Sequence, residues 1–290
     1  EPTTVTLDNG QSLILEPLVR TPHRLGLKDF DPCAVLLNND LSAGVPAILS
    51  GLHEQTVLPP LHAGWHVRRK SHHFAAFRDV AAQFAEVVGI DPWLIDPAFG
   101  VCAGIDFQAR QGEECLAAGV EKVLTRIREK YAEYGVTERP FVIVKADAGT
   151  YGMGVMTVHD AAEVIGLNRK QRNKMAVGKE GAQVHEVIIQ EGVHTLESVA
   201  GAVAEPVVYM IDRYVVGGFY RVNPARGRDE NLNAPGMHFE PLAFESPCQM
   251  PDPGSHPDDA PNRFYTYGVV ARLAALAAAL ELERTAPEEL

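Results

Sequence analysis

The stretch Lys145-Ala146-Asp147-Ala148-Gly149-Thr150-Tyr151-Gly152-Met153-Gly154 decides how this 290-residue chain is read. Three glycines fall within its last six residues, and glycine lets a backbone approach phosphate closely and aim its amides there. The flanks set the type of loop. A P-loop runs from strand to helix and closes on Gly-Lys-Ser/Thr, and a dinucleotide fingerprint also opens a helix. Here Phe141–Lys145 and Val155–Val158 are both strand-like, so the loop reads as the tip of a β-hairpin, with its lysine on the first strand. That order suits a flap over ATP phosphates. Lys145 would neutralise charge, and Gly149, Thr150, Tyr151, Gly152 and Gly154 would form the cradle. An ordinary glycine-rich hairpin has the same composition.

Downstream, Val187-Ile188-Ile189-Gln190-Glu191-Gly192-Val193 is an apolar strand ending in polar residues and glycine. It can serve as a nucleotide hinge, with Gln190 at the strand end and the backbone of Glu191 and Val193 on the adenine edge. Glu197 or Glu205 would then take the ribose hydroxyls. A plain strand end fits the same residues. Next, Val207–Ile211 and Tyr214–Arg221 read as paired strands that place Arg221 on a sheet face. A half-buried arginine needs an anion, either a phosphate, a substrate carboxylate or a structural acid. The loop Arg228-Asp229-Glu230-Asn231-Leu232-Asn233-Ala234-Pro235-Gly236 then groups a cation with oxygen donors. Glu230, Asn231 and Asn233 suit Mg²⁺ shared with phosphates, and a polar surface loop looks similar.

Upstream, Trp65–Phe74 is a basic run ahead of a helix over Ser71–Val88, with Ser71 as the expected N-cap. Arg68 and Lys70 are candidates to hold a carboxylate substrate, as Arg228 is; a solvated basic turn is the bland alternative. His62, His66, His72 and His73 could suggest a zinc site, but Pro59, Pro60 and Gly64 argue against a His-x-x-x-His helix there, so none is expected. Arg169, Lys170, Arg172, Lys174 and Lys179 have no aromatic residues interleaved, which argues for a lid or solvated helix over a nucleic-acid site. A second amphipathic helix spans Glu113–Tyr134 and closes at Gly135. The Pro247–Pro261 stretch reads as a linker or surface loop, and Tyr267–Leu282 as a closing helix.

Bulk properties narrow the class. Hydrophobic residues make up 46% and charged residues 22% of the chain, which is a globular composition. The net charge of −12 works against a nucleic-acid partner. Cys33, Cys102, Cys115 and Cys248 form no CxxC pair, so reduced thiols in a cytoplasmic protein are expected. The longest apolar run, Leu273–Leu280, is too short to span a bilayer, so no membrane partner is expected.

In order, the chain presents lysine with a glycine hairpin, Gln-Glu-Gly-Val, a strand pair with arginine, and Asn-Leu-Asn-Ala-Pro-Gly. This order resembles the ATP-grasp fold over residues 141–242. The runs VKADAGTYGMGVM, IIQEGV, AEPVVYMIDRYVVGGFYRVN and ENLNAPGMHFEPL, with LLNNDLSAG and RRKSHHFAAF upstream, resemble the proteobacterial, ferrooxidans-type glutamate–cysteine ligases across most of the chain. The resemblance implies an α/β protein of α+β lobes. Residues 1–110 would form a preceding α/β substrate-side domain and residues 111–290 the ATP-grasp-like lobes with a C-terminal helix.

It also implies ATP and Mg²⁺ as cofactors and a ligase that joins the γ-carboxylate of glutamate to the amine of cysteine, the first step of glutathione synthesis. Catalysis would run through an acyl phosphate, with Lys145 and Arg221 as catalytic cations. An ATP-grasp ligase for another pair, or an ATP-binding module without turnover, is the alternative. Family members extend further at the N-terminus, so some substrate contacts are expected outside these residues. The chain also lacks the late Glu-x-Asn metal pair of many ATP-grasp ligases.

Overall fold

The computed structural model describes residues 1–39, 41, 43–65, 67–149, 154–178, 181, 183–242, 254 and 263–287. Thr150, Tyr151 and Gly152 of the expected cradle lie outside the described residues, as do His66, Lys179, Cys248 and most of the Pro247–Pro261 loop. Two compact units result, one of 1–68 with 285–290 and one of 69–284.

The first unit carries short strands. β1 (Thr3–Thr6) pairs with β2 (Ser12–Leu15), β3 (Val19–Arg20) with β4 (Leu25–Gly26), and β5 (Ala34–Leu36) runs parallel to β6 (Thr56–Leu58). Its small core is Leu25, Leu41 and Leu49. The buried Gln55 side chain stitches it, accepting from Leu25 N and donating to the carbonyls of Leu25 and Pro32.

The second unit opens with α1 (Lys70–Val88), followed by β7 (Phe99–Ala103), α2 (Glu113–Tyr134), β8 (Val142–Ala146) and β9 (Val155–Val158). Then come α3 (Ala162–Ile165), α4 (Arg169–Ala176), β10 (Glu186–Glu191), β11 (Ser198–Val199), β12 (Ala202–Ile211), β13 (Tyr214–Val222), β14 (His238–Pro241) and α5 (Arg263–Thr285). Two antiparallel sheets form, in the orders β7-β10-β8-β9 and β11-β12-β13-β14. β7 therefore pairs with β10 across residue 110, the boundary expected between domains.

Side chains of the first sheet turn alternately to its two faces, with Ile188, opposite Lys145, buried on the second face. Val142, Val144, Val187 and Ile189 face α2, where Leu116, Val120, Leu124 and Ile127 are fully buried. That stripe recurs at the helical period, so α2 covers one face of the sheet and leaves the other for a ligand. Gly119 sets the approach, because a Cβ there would lie 2.6 Å from Ile189 Cδ1.

On α1, Phe77, Val80 and Ala81 pack with Leu273 and Ala277 of α5, while Val87 near its end is 85% exposed. The segment Tyr265–Thr285 is long and apolar enough to cross a membrane by length and composition, contrary to the shorter run read from the sequence. Its packing on α1 assigns the buried face to a core. Cys102 and Cys115, which form no CxxC pair in sequence, lie with their Sγ atoms 3.0 Å apart.

Candidate active site

The uncovered face of the first sheet builds the site. β8 and β9 pair Lys145 with Val155 and Ile143 with Thr157, so these side chains share the face opposite α2. The connection is a hairpin, as its flanks imply. Gly149 has φ 99° and Gly154 has φ 62°, conformations that exclude most side chains, and Gly154 O accepts from Ala146 N.

The loop is braced from α1. Lys70 Nζ donates to the carbonyl oxygens of Ala146 (2.8 Å) and Gly149 (3.0 Å). Asp147, almost fully buried, accepts from Ser71 N at 2.8 Å and Ser71 Oγ at 2.7 Å. Ser71 is therefore not the N-cap. It stands in the first turn, Arg69 is the capping position without a side-chain cap, and Asp147 satisfies the helix amide from a distant segment.

One cavity of about 390 Å³ is lined by Lys70, Lys145, Gly149, Val193, Glu205, Arg221, Arg228, Glu230, Asn231 and Asn233, together with Phe141, Ile143, Val155 and Thr157. Expected cations from four separate segments thus meet in one place. Burial and the neighbouring Lys70 charge lower Lys145 to a pKa of about 8. Arg221, half-buried on β13, pairs with Glu205 directly across the ladder. Its Nε is buried with no partner among the described residues. Arg228 Nε donates to Thr195 O at 3.1 Å.

The other expected residues divide. Gln190 stands opposite Ile143, on the Lys145 face, and its Oε1 is buried without a partner among the described residues. Glu191 points the other way, where its carboxylate accepts from Trp93 Nε1 (3.0 Å) and Ala98 N (2.7 Å), and burial raises its pKa. The Glu191 N–H is itself donated to Ala98 O. Gly192 must be glycine, since a Cβ would lie 2.1 Å from the Phe141 ring. Glu197 accepts from the Tyr267 hydroxyl, and Arg68 belongs to the first unit, where its N–H donates to Gly64 O.

The proposed metal ligands are tied locally. Glu230 accepts from Arg226 Nη1 (2.8 Å) and Gly227 N (2.7 Å), which lower its pKa, and Asn231 Oδ1 accepts from Asn233 N (2.9 Å). No cluster of three His, Cys, Asp or Glu side chains able to hold a metal occurs among the described residues. The donor set suits an ion held jointly with phosphate better than an all-protein cage.

Sequence reading missed three contributors. Asp147 holds the loop, Phe141 fills the floor beside Gly192, and His159 pairs with Asp229 at 3.1 Å. Strand alternation through Val155 and Thr157 was the available signal for His159.

A glycine hairpin with a strand lysine on one antiparallel sheet, facing an arginine strand pair and an oxygen-rich loop, defines an ATP-grasp-like ligase of α+β lobes. The family profile for glutamate-cysteine ligase (GshA) matches residues 1–282. A 1.90 Å crystal structure from Methylobacillus flagellatus KT, provisionally named a gamma-glutamylcysteine synthetase, is 63% identical and superposes with a TM-score of 0.83, covering 98% of this chain and 67% of that one. A D-cycloserine synthetase structure aligns at 14% identity and a TM-score of 0.34 over 79% of this chain and 57% of that one, too distant to inform the site. Among curated proteins none matches significantly. The chain belongs to the glutamate-cysteine ligase family, enzymes that use ATP to form an amide bond in glutathione biosynthesis.

Proposed function

We propose that the second unit binds the ATP of a cytoplasmic glutamate–cysteine ligase and activates the γ-carboxylate of glutamate as an acyl phosphate. The observation that carries this reading is the convergence of Lys70, Lys145, Arg221 and Arg228 on one cavity, with Arg221 Nε buried and unpartnered among the described residues. A polyphosphate would supply the missing acceptor. The adenine would lie toward Val193. There a more apolar cavity of about 520 Å³, sharing Val193 and Arg228 with the first, also holds Leu94, Ile95 and Leu196. Gln190 Oε1, buried on the Lys145 face, would accept from the exocyclic amine of the base, and Glu205 or Glu197 would take the ribose hydroxyls.

Lys145 and Arg221 would stabilise the charge that grows on the transferred phosphoryl group, while Gly149 and Gly154 shape the cradle over it. Glu230, Asn231 and Asn233 would hold Mg²⁺, which when bound neutralises phosphate charge. The protein needs no nucleophile of its own in this route, because the substrate carboxylate attacks the phosphorus and ADP leaves. Arg68 and Lys70 remain candidates for substrate carboxylates, with Lys70 also bracing the loop. Small molecules, without nucleic acid or membrane, would be the partners.

The route is tested with the full-length protein given glutamate, ATP, Mg²⁺ and hydroxylamine in place of cysteine. γ-Glutamyl hydroxamate and ADP are expected. Release of AMP and pyrophosphate would sink the acyl-phosphate route, and ATP binding without any turnover would make the chain a nucleotide-binding module.

A further inference from the structure

The Lys145 face has one more row. Beyond the pairs Lys145–Val155 and Ile143–Thr157 stand Phe141 and His159, with ring centroids 5.8 Å apart. Asp229 reaches this row from the loop after β13, and its Oδ2 lies 3.1 Å from His159 Nε2. The imidazole and the carboxylate are each partly exposed, at 24% and 38%. Both line a cavity of about 820 Å³ beside the free edge of β9. That cavity shares Val155, Thr157, Asp229, Glu230, Asn231 and Asn233 with the phosphate cavity. The His–Asp pair therefore stands where two adjoining compartments meet.

The reaction has a requirement beyond the handling of phosphate. An amino acid arrives at neutral pH as an ammonium, whose nitrogen has no lone pair to attack an acyl carbon. We propose that the larger cavity receives the amine-bearing substrate and that His159, oriented by Asp229, accepts a proton from its ammonium. A carboxylate oxygen has no proton to give, so in the 3.1 Å contact Nε2 donates and Asp229 Oδ2 accepts. In neutral imidazole that leaves the lone pair on Nδ1. One N–H bond breaks toward Nδ1, the freed pair forms the C–N bond, and the acyl C–O bond breaks to release phosphate with its electrons. The second amine proton departs with that phosphate, and the imidazolium returns its own to water between turnovers. The charged groups around the ring are Asp229, Glu163, Glu230, Arg226 and Lys174 on the cavity walls, with His194 behind Phe141.

This inference rests on the acyl-phosphate reading, and two acceptors separate the two. Hydroxylamine is largely unprotonated at neutral pH and needs no base. In the full-length protein, His159→Gln should lower kcat/KM for cysteine about 100-fold at neutral pH, the usual scale of a general base. The loss should shrink as pH rises and more free amine is present. Hydroxamate formation from glutamate should stay within about threefold of wild type, since no proton acceptor is required there. Equal loss with both acceptors, or a cysteine pH profile parallel to wild type, would overturn the role. Should His159→Gln not fold, Asp229→Asn keeps the imidazole and carries the same comparison, with cysteine alone impaired. A wild-type enzyme that makes the dipeptide but no hydroxamate would refute the acyl phosphate only, and the cysteine pH profile would still decide His159.

Discussion

Lys145 shows how much a single residue's surroundings add to its position in a motif. A lysine before a glycine hairpin is readable from sequence, but its proton affinity is not, because burial lowers it first and the second cause, the Lys70 charge, comes from 75 residues earlier. With its pKa at about 8 in the free protein, Lys145 is charged at neutral pH and ready for phosphate. A bound polyphosphate favours the charged form and raises that pKa. ATP affinity should be flat below about pH 8 and fall above it, with up to one proton taken up on binding in the alkaline range. Calorimetry in two buffers of different protonation enthalpy reads that proton directly. Lys145→Met should abolish the uptake and weaken binding, and uptake that persists in the variant would assign the proton elsewhere. Arg221 teaches a related lesson. Its strand and face were legible, while its ion pair with Glu205 follows from a cross-strand register that sequence spacing does not display.

At the level of elements, the strongly periodic pieces were the legible ones. The helix Glu113–Tyr134 and the strand Val155–Val158 stand where hydrophobic period and terminal glycine put them. Ser71 failed as a cap for a physical reason: the amide it was to satisfy already finds Asp147, which no local pattern announces. The same contact links the start of α1 to the glycine hairpin. Asp147→Ala should remove two hydrogen bonds to a buried carboxylate, destabilising the protein by about 2 kcal/mol. It should also raise KM for ATP, because the loop loses its anchor. Urea unfolding and ATP titration check the two effects, and a change in stability with no change in KM would show the anchor to be purely structural. His159 stayed unread because it belongs to no motif and its partner Asp229 comes from a separate element.

For the whole molecule, the compact division after Arg68 was not legible, since β7 enters the sheet only through pairing with β10. Buried charge also governs stability at this scale. Asp96 is buried, its Oδ1 has no partner among the described residues, and burial raises its pKa to about 6. The folded carboxyl holds its proton more tightly than the unfolded one, so stability should fall as pH rises from about 4 to about 6 and stay reduced above. The neutral-pH cost is on the order of 3 kcal/mol. Asp96→Asn should raise Tm at pH 7 and leave it nearly unchanged at pH 4, as melting curves across that range would reveal; equal shifts at both pH values would point away from ionisation. The strand order has a further consequence for the chain as it is made. β10 lies between β7 and β8, yet it is synthesised after both. While the ribosome is still adding residues before Glu186, β7 and the β8–β9 hairpin have no common strand, and α2 has only half a sheet to cover. The central strand is thus the last part of its sheet to arrive. The nucleotide face can close only when it does, so this lobe assembles late and all together rather than strand by strand.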